Sequence, residues 1–279
     1  MLVAVCSLKG SPGATTLATA LGARWPAAEN PILVEADPAG GDLMARFRLT
    51  DSPSLVTLAV AARRSTDPGL LAQHTQQLPG GLRVVIGPVG AEQARSALSV
   101  LASGGSSPLR RATEQPGTTV IADCGRVDPD SPALPIIRSS DAMLLVAHPH
   151  DDELAHLALK LHDAQRWSRR PCLVLIGDGH RTREVSQALG IPVMGRVPRD
   201  DKAAAVLCGH SNGRHGPATS KLGQAAARIA TLTLAHWHAN HRNNTGPRVA
   251  HPQTRVSGAP SAGTALQPLG PQTRNGTET

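Results

Sequence analysis

The sequence has 279 residues, enough for one large domain or two small ones, and 40% of them are hydrophobic. It has one Phe, three Trp and no Tyr, so any core must be built from Ala, Val, Leu and Ile. The net charge of +7 permits weak attraction to nucleic acid or anionic lipid, while the lack of any apolar stretch near ~18 residues argues against a transmembrane helix.

Short apolar runs alternate with amphipathic or loop segments along the chain. Seven runs are predicted to be strands: 2–7, 31–37, 82–88, 118–124, 142–148, 171–177 and 192–197. Helices are predicted near 14–24, 53–63, 67–77, 90–102, 132–139, 151–167, 181–189 and 218–240, with a loop-rich connection over 103–117. Because the strand runs are apolar on both faces, the pattern predicts a doubly wound α/β fold, a mainly parallel sheet with helices on both faces.

The composition changes near the end of the sequence. Residues 241–279 are polar, rich in Pro, Gly, Thr and Asn, and have no hydrophobic periodicity. The sequence therefore predicts a single nucleotide-binding domain over 1–240, followed by a disordered polar tail over 241–279.

The stretch SLKGSPGATTLATAL, residues 7–21, lies between the first strand and the first helix. A helix that begins at the carboxyl end of a strand presents unpaired N–H groups and a positive dipole end, which together accept phosphate. Glycines at 10 and 13 allow a tight turn, and the hydroxyls of Thr15 and Thr16 can reach a bound Mg²⁺. A Gly-rich strand–helix turn without a ligand is the alternative interpretation.

The octapeptide KGSPGATT resembles the deviant Walker A motif of the ParA/MinD family, K-G-G-x-G-K-T-T. Ser11 replaces the second glycine, and Ala14 replaces the lysine that contacts the β- and γ-phosphates. The resemblance implies a P-loop NTPase fold and binding of ATP and Mg²⁺ by eight consecutive residues: Lys9, Gly10, Ser11, Pro12, Gly13, Ala14, Thr15 and Thr16. In that family the early lysine reaches across a nucleotide-sandwich dimer, a catalytic role that falls here to Lys9.

Two acids follow strands at positions that resemble other parts of the family. VEADPAGGDL (34–43) resembles switch I, which implies that Asp37 orients the attacking water or the shell of a Mg²⁺ ion; an Asp–Pro turn is the alternative. VIADCGRVD (120–128) resembles the Walker B and switch II region, which assigns Mg²⁺ binding through water to Asp123, beside Thr15. Arg126 is more simply a solvated loop residue than a phosphate ligand.

The stretch 173–210 resembles the end of a MinD-like domain, in which an I-P-V-x-G-x-V-P-x-D segment leads into an Ala-rich helix. The resemblance places Gly177, Pro198 and Asp200 beside the base. Loss of the lysine at Ala14 predicts weaker binding, since a unit-charge pair at ~4 Å is worth about 4 kcal/mol at an effective dielectric of 20. Hydrolysis should be weak or absent, because charge develops on the γ-phosphoryl group in the transition state.

Two functions fit these features. The first is an atypical ATP-dependent dimerisation switch that positions or partitions DNA or a cellular complex; the second is a nucleotide-independent ParA-like scaffold or adaptor. A dehydrogenase is disfavoured, since the first turn lacks G-x-G-x-x-G.

The resemblance also bears on partners and location. It implies a homodimer with a protein partner or non-specific DNA, for which the candidate contacts are four arginine groups: Arg63–Arg64, Arg110–Arg111, Arg169–Arg170 and Arg181–Arg183. Membrane docking is not expected, because the last segment lacks a basic, Leu/Phe-rich face. The four cysteines, none in a CxxC pair, predict reduced thiols, and with no visible secretory signal a cytoplasmic location is expected.

Overall fold

The computed structural model describes residues 1–10, 12–102, 107–168, 171–210 and 216–244. One compact unit spans Met1–Asn244. The last helix continues to Asn244, so the predicted polar tail begins inside it, and the rest of that prediction, over 245–279, lies outside the described residues.

A single eight-stranded sheet has the order β3-β4-β2-β5-β1-β6-β7-β8. All neighbouring pairs are parallel except β3 and β4. The strands are β1 (Leu2–Ser7), β2 (Asn30–Glu35), β3 (Gln76–Gln77), β4 (Arg83–Val85), β5 (Thr118–Arg126), β6 (Ala142–Ala147), β7 (Pro171–Ile176) and β8 (Val193–Val197). The predicted doubly wound α/β fold with a mainly parallel sheet is confirmed.

Helices cover both faces of the sheet. They are α1 (Ala14–Ala23), α2 (Leu43–Phe47), α3 (Leu55–Ala62), α4 (Leu70–Gln73), α5 (Ala91–Ala102), α6 (Pro108–Ala112), α7 (Leu134–Ser139), α8 (Asp151–Trp167), α9 (Thr182–Leu189), α10 (Asp201–Leu207) and α11 (Lys221–Asn244). The central strand shows the two layers directly: Leu2, Ala4 and Cys6 pack in one hydrophobic cluster, while Val3 and Val5 pack in the other. Strands buried on both faces explain why no polar alternation appears in the sequence.

All seven predicted strands are present, but the region 67–77 was predicted wrongly as one helix. Helix α4 covers only Leu70–Gln73, and Gln76 and Gln77 then form the short antiparallel strand that pairs with β4. The pairing of Gln77 with Arg83 and Gln76 with Val84 closes a hairpin, so local helix propensity yields to tertiary pairing. Helix α2 was not predicted, because five residues are too few to show a helical period.

Strand β5 contains an irregularity where it pairs with β1. Val5 lies opposite Asp123, but Ser7 lies opposite Arg126, so three steps on β5 match two steps on β1. This is the pattern of a β-bulge, and it lies at the carboxyl edge of the sheet. The carboxyl ends of β1, β2 and β5 are neighbours at this edge, which is where ligands bind in open α/β sheets.

Candidate functional site

The loop after β1 leads directly into helix α1. Gly13 is the N-terminal cap with φ 90°, a left-handed conformation that favours glycine, and no side chain caps the helix. The first helical hydrogen bond runs from Leu17 N–H to the Gly13 carbonyl, 2.9 Å, so the N–H groups of Ala14, Thr15 and Thr16 have no partner within the helix. The loop therefore presents a row of amide donors at the positive end of the helix dipole.

Asp37 lies at the edge of the same space, between its own loop and strand β5. Its Oδ1 accepts a hydrogen bond from the Ala39 N–H at 2.7 Å. The carboxylate lies directly over Gly125, where a Cβ atom would be only 1.9 Å from Asp37 Oδ2. Burial raises the pKa of Asp37, and the positive charge of Arg126 acts in the opposite direction. Glycine at 125 thus leaves room for this carboxylate.

Asp123 lies beneath the loop, buried with 1% of its surface exposed. Its side chain is hydrogen-bonded to Thr15, and its Oδ1 accepts from the Gly125 N–H at 3.2 Å. The pKa of Asp123 is raised to about 7, mainly by burial and also by the charges of Glu35 and Asp37, while the hydrogen bonds from Thr15 and the Gly125 N–H act in the opposite direction. Among the described residues no lysine or arginine forms an ion pair with this carboxylate.

Glu35, the first acid of segment 34–43, binds backbone N–H groups of the fold. Its Oε1 accepts from the N–H groups of Asp42 and Leu43 at 2.8 and 2.9 Å, and its Oε2 accepts from the Gly87 N–H at 2.9 Å. The side chain is 2% exposed, and burial raises its pKa against the opposing effect of these three donors. Glu35 therefore fixes the loop that carries Asp37 against the end of β4.

These elements enclose a cavity of about 590 Å³, which we call the loop cavity. Its walls include six of the eight predicted loop residues and one of the two predicted acids: Gly10, Pro12, Gly13, Ala14, Thr15, Thr16 and Asp37. Residues that the sequence did not single out also line it: Ser7, Asp42, Arg46, Arg95, Asp128 and Ser131. Arg126, which is exposed at the end of β5, lines the cavity too. Ser11 lies outside the described residues.

A second cavity of about 480 Å³ adjoins the first, because both are lined by Pro12, Gly13 and Thr16. We call it the side cavity. It contains the three positions that the resemblance placed beside the base, Gly177, Pro198 and Asp200. The Asp200 carboxylate also accepts from the Ala203 N–H at 3.1 Å and so caps helix α10.

Lys9 lies outside the residues that line the loop cavity. Its Nζ is 3.3 Å from Asp152 Oδ2 in the first turn of α8, and both side chains are substantially exposed. The pair lowers the pKa of Asp152. In the single chain, therefore, Lys9 extends toward α8 and away from the walls of its own loop cavity.

The arginine groups suggested for DNA differ in how far their side chains are engaged within the fold. Arg110 donates to Asp141 Oδ2 at 2.8 Å, and Arg111 donates to the Ser65 carbonyl, so these two side chains are engaged within the fold. Arg63 and Arg64 are exposed, and the pair at 169–170 lies outside the described residues. Across the described part of the chain, no helix is both long and apolar enough to cross a bilayer.

Comparisons with known proteins place this geometry in a known fold. No protein-family model and no curated protein matches the chain. A ParA family ATPase from Chlorobium tepidum TLS matches with TM-score 0.65 and 20% identity, over 82% of this chain and 97% of that one. The chain has the ParA/MinD fold. The septum site-determining protein MinD from Pyrococcus horikoshii OT3, solved with Mg-ADP, matches with TM-score 0.60 and 16% identity, over 82% and 93% of the two chains.

A third similar structure is a McdA variant from Cyanothece bound to ATP. It matches with TM-score 0.60 and 13% identity, over 84% of this chain and 95% of that one. Of these three structural neighbours, one is described as a ParA family ATPase, and the other two were solved with a nucleotide bound. At such identities the similarity establishes the fold, and the function has to be argued from the site.

Proposed function

We propose that this chain is an atypical ParA/MinD-like switch that binds Mg-ATP and dimerises around it, with weak or no hydrolysis. The observation that carries the proposal is the loop cavity, where unpaired amides at the start of α1 face the same space as Asp37. Amides at the start of a helix bind phosphate, and a polyphosphate is bound together with a metal ion, for which Asp37 and Asp123 are the nearby carboxylates in this proposal. The adjoining side cavity offers space for a base.

The residues around Asp123 fit a magnesium ion. A hydroxyl from Thr15 and a buried carboxylate from Asp123 are hard oxygen groups, the kind that Mg²⁺ prefers. The cost of burying an unpaired carboxylate, seen in its raised pKa, would be offset by a cation nearby. A bound Mg²⁺ would neutralise part of the charge of the phosphates. In this proposal Thr15 binds the ion directly and Asp123 binds it through water.

Asp37 and Lys9 have the two catalytic roles in the proposal. The Asp37 carboxylate, half-buried and fixed by the Ala39 N–H, orients a water molecule toward the terminal phosphate. Lys9 leaves Asp152 and reaches the phosphates bound by a second copy, which requires breaking only a solvent-exposed ion pair. Ala14 supplies no charge at the terminal phosphate, which is why turnover is expected to be slow or absent.

The test combines calorimetry with sedimentation. Mg-ATP should bind with micromolar to millimolar affinity, roughly −4 to −8 kcal/mol, and should shift the protein from monomer to dimer. Lys9→Ala should retain binding to the monomer but lose the shift. Lys221→Ala is the matched control, since that exposed lysine begins α11 and lines neither cavity. A dimer that forms equally with Lys9→Ala would contradict the role of this lysine.

The second candidate is a nucleotide-independent scaffold that uses the fold for contacts with a protein partner. Ala14 favours it, because the residue that usually carries the phosphate-binding charge is absent. Among the neighbours, a MinD from Aquifex aeolicus was solved as a complex with MinC. No heat of binding and an unchanged sedimentation profile with Mg-ATP would favour the scaffold over the switch.

A further inference from the structure

The positive charges near the loop cavity are unequally available to a ligand. Arg46 on α2 is held by Asp42, with Nη2 and Oδ2 2.5 Å apart, and its Nη1 lies 3.7 Å from Cys208 Sγ. Lys9 is paired with Asp152 outside the cavity. Within one chain, Arg46 is thus engaged by an acid of the cavity wall, and Lys9 lies outside the residues that line the cavity.

Arg95 and Arg126 are different. Arg95 extends from α5 and Arg126 from the end of β5, and both line the loop cavity. Both are exposed, and neither forms an ion pair with any residue that the structure describes. The bulge in β5 places Arg126 level with Ser7 at the start of the loop. Two unpaired guanidinium groups thus approach one cavity from two separate elements.

Three acids line the same cavity, so the arginines do not make it uniformly positive. Asp42 is neutralised by Arg46. Asp37 and Asp128 remain, and the positive charge of Arg126 already acts on Asp37, although the two side chains form no ion pair. A divalent cation bound with a polyphosphate would offset the charge of these acids. The two unpaired arginines would then be left for the phosphate oxygens. This division of charge matches the needs of a Mg²⁺-polyphosphate and would not favour a neutral ligand.

We propose that Arg95 and Arg126 bind the terminal phosphates of the nucleotide and replace the charge that Ala14 lacks. The proposal rests on the proposed function and deepens it, since it names how this chain holds a polyphosphate. Guanidinium groups suit this role because their planar N–H donors bind phosphate oxygens in pairs. Both would contact the ligand directly, Arg95 from α5 and Arg126 from the end of β5.

The experiment measures binding of Mg-ATP, Mg-ADP and adenosine by calorimetry at constant salt. Arg95→Gln and Arg126→Gln should each weaken Mg-ATP binding about tenfold, as expected for one charge-assisted hydrogen bond, and the double variant more than either alone. Adenosine binding should change less than twofold in every variant. Arg63→Gln, a change of the same charge at the end of α3 outside both nucleotide cavities, should leave Mg-ATP binding unchanged.

A rescue strengthens the test. Ala14→Lys puts the missing charge back at a residue that lines the loop cavity, and in the double arginine variant it should restore Mg-ATP binding at least tenfold. Mg-ATP binding by both single arginine variants within twofold of wild type would overturn the inference and leave the proposed function standing. If wild type itself binds no Mg-ATP, the proposed function fails and the inference fails with it.

Discussion

Replacement of Glu35 by alanine tests whether the loop bearing Asp37 is fixed as the structure indicates. The substitution leaves the N–H groups of Asp42, Leu43 and Gly87 without their acceptor, and those of Leu43 and Gly87 are buried. Each buried donor without a partner costs about 1–3 kcal/mol, and removal of a buried charge offsets part of the sum. We expect the free energy of unfolding to fall by about 3 kcal/mol, a large share of the total for an ordinary domain.

Urea unfolding followed by circular dichroism measures this loss, with an unchanged m-value showing that the same surface is exposed. Glu35→Gln should lose less, roughly 1–2 kcal/mol, since one amide oxygen still accepts while its NH₂ group faces the Gly87 N–H. Glu184→Ala is the control, because this exposed side chain accepts one bond, from the Arg181 N–H at 3.2 Å. A loss with Glu35→Ala as small as that of the control would refute the reasoning.

Three further changes test the groups around the bulge. Gly125→Ala would place a Cβ atom against the Asp37 carboxylate, at a residue whose φ is 58°. The free energy of unfolding, measured in urea, should therefore fall by about 1–2 kcal/mol, and Mg-ATP binding, measured by calorimetry, should weaken. Unchanged stability would argue against the contact between Asp37 and Gly125. Because the folded pKa of Asp123 is raised to about 7 from 3.8, wild-type stability should fall as pH rises between these values, and Asp123→Asn should be the more stable protein above about pH 7, by up to about 4 kcal/mol. A stability difference between wild type and Asp123→Asn that does not vary with pH would count against the raised pKa of Asp123. Thr15→Val removes the hydroxyl bond to Asp123 and should cost about 1–2 kcal/mol near pH 8 but less at pH ~5, in the same unfolding assay.

The sheet and the ligand-facing loop were predictable because their signals are local. A strand buried on both faces appears as an unbroken apolar run, and the glycine pattern between β1 and α1 marks a tight turn. Asp37 and Asp123 each follow such a run, and parallel neighbours bring their carboxyl ends together. Because β2 and β5 are parallel neighbours, the Asp37 carboxylate comes close to Gly125.

The remaining features depend on tertiary position. Arg95 is one exposed arginine among many in the chain, and nothing near it in the sequence indicates which cavity it borders. Glu35 has the same residue type as a catalytic acid, and only its three backbone donors reveal a structural role. The wrong helix over 67–77 has a similar cause, because pairing with β4 gives Gln76 and Gln77 an extended conformation.

The extra residue in β5 reverses the side-chain alternation that follows it. Side chains on a strand point to opposite sides in turn, so one inserted position exchanges the two sides for everything downstream. A chain of this fold with a regular strand here would align its glycine, and not its arginine, with Ser7. The number of residues between Asp123 and the end of β5 therefore decides whether Arg126 lies beside Ser7 at the loop cavity. The amino-acid composition of the strand does not decide it.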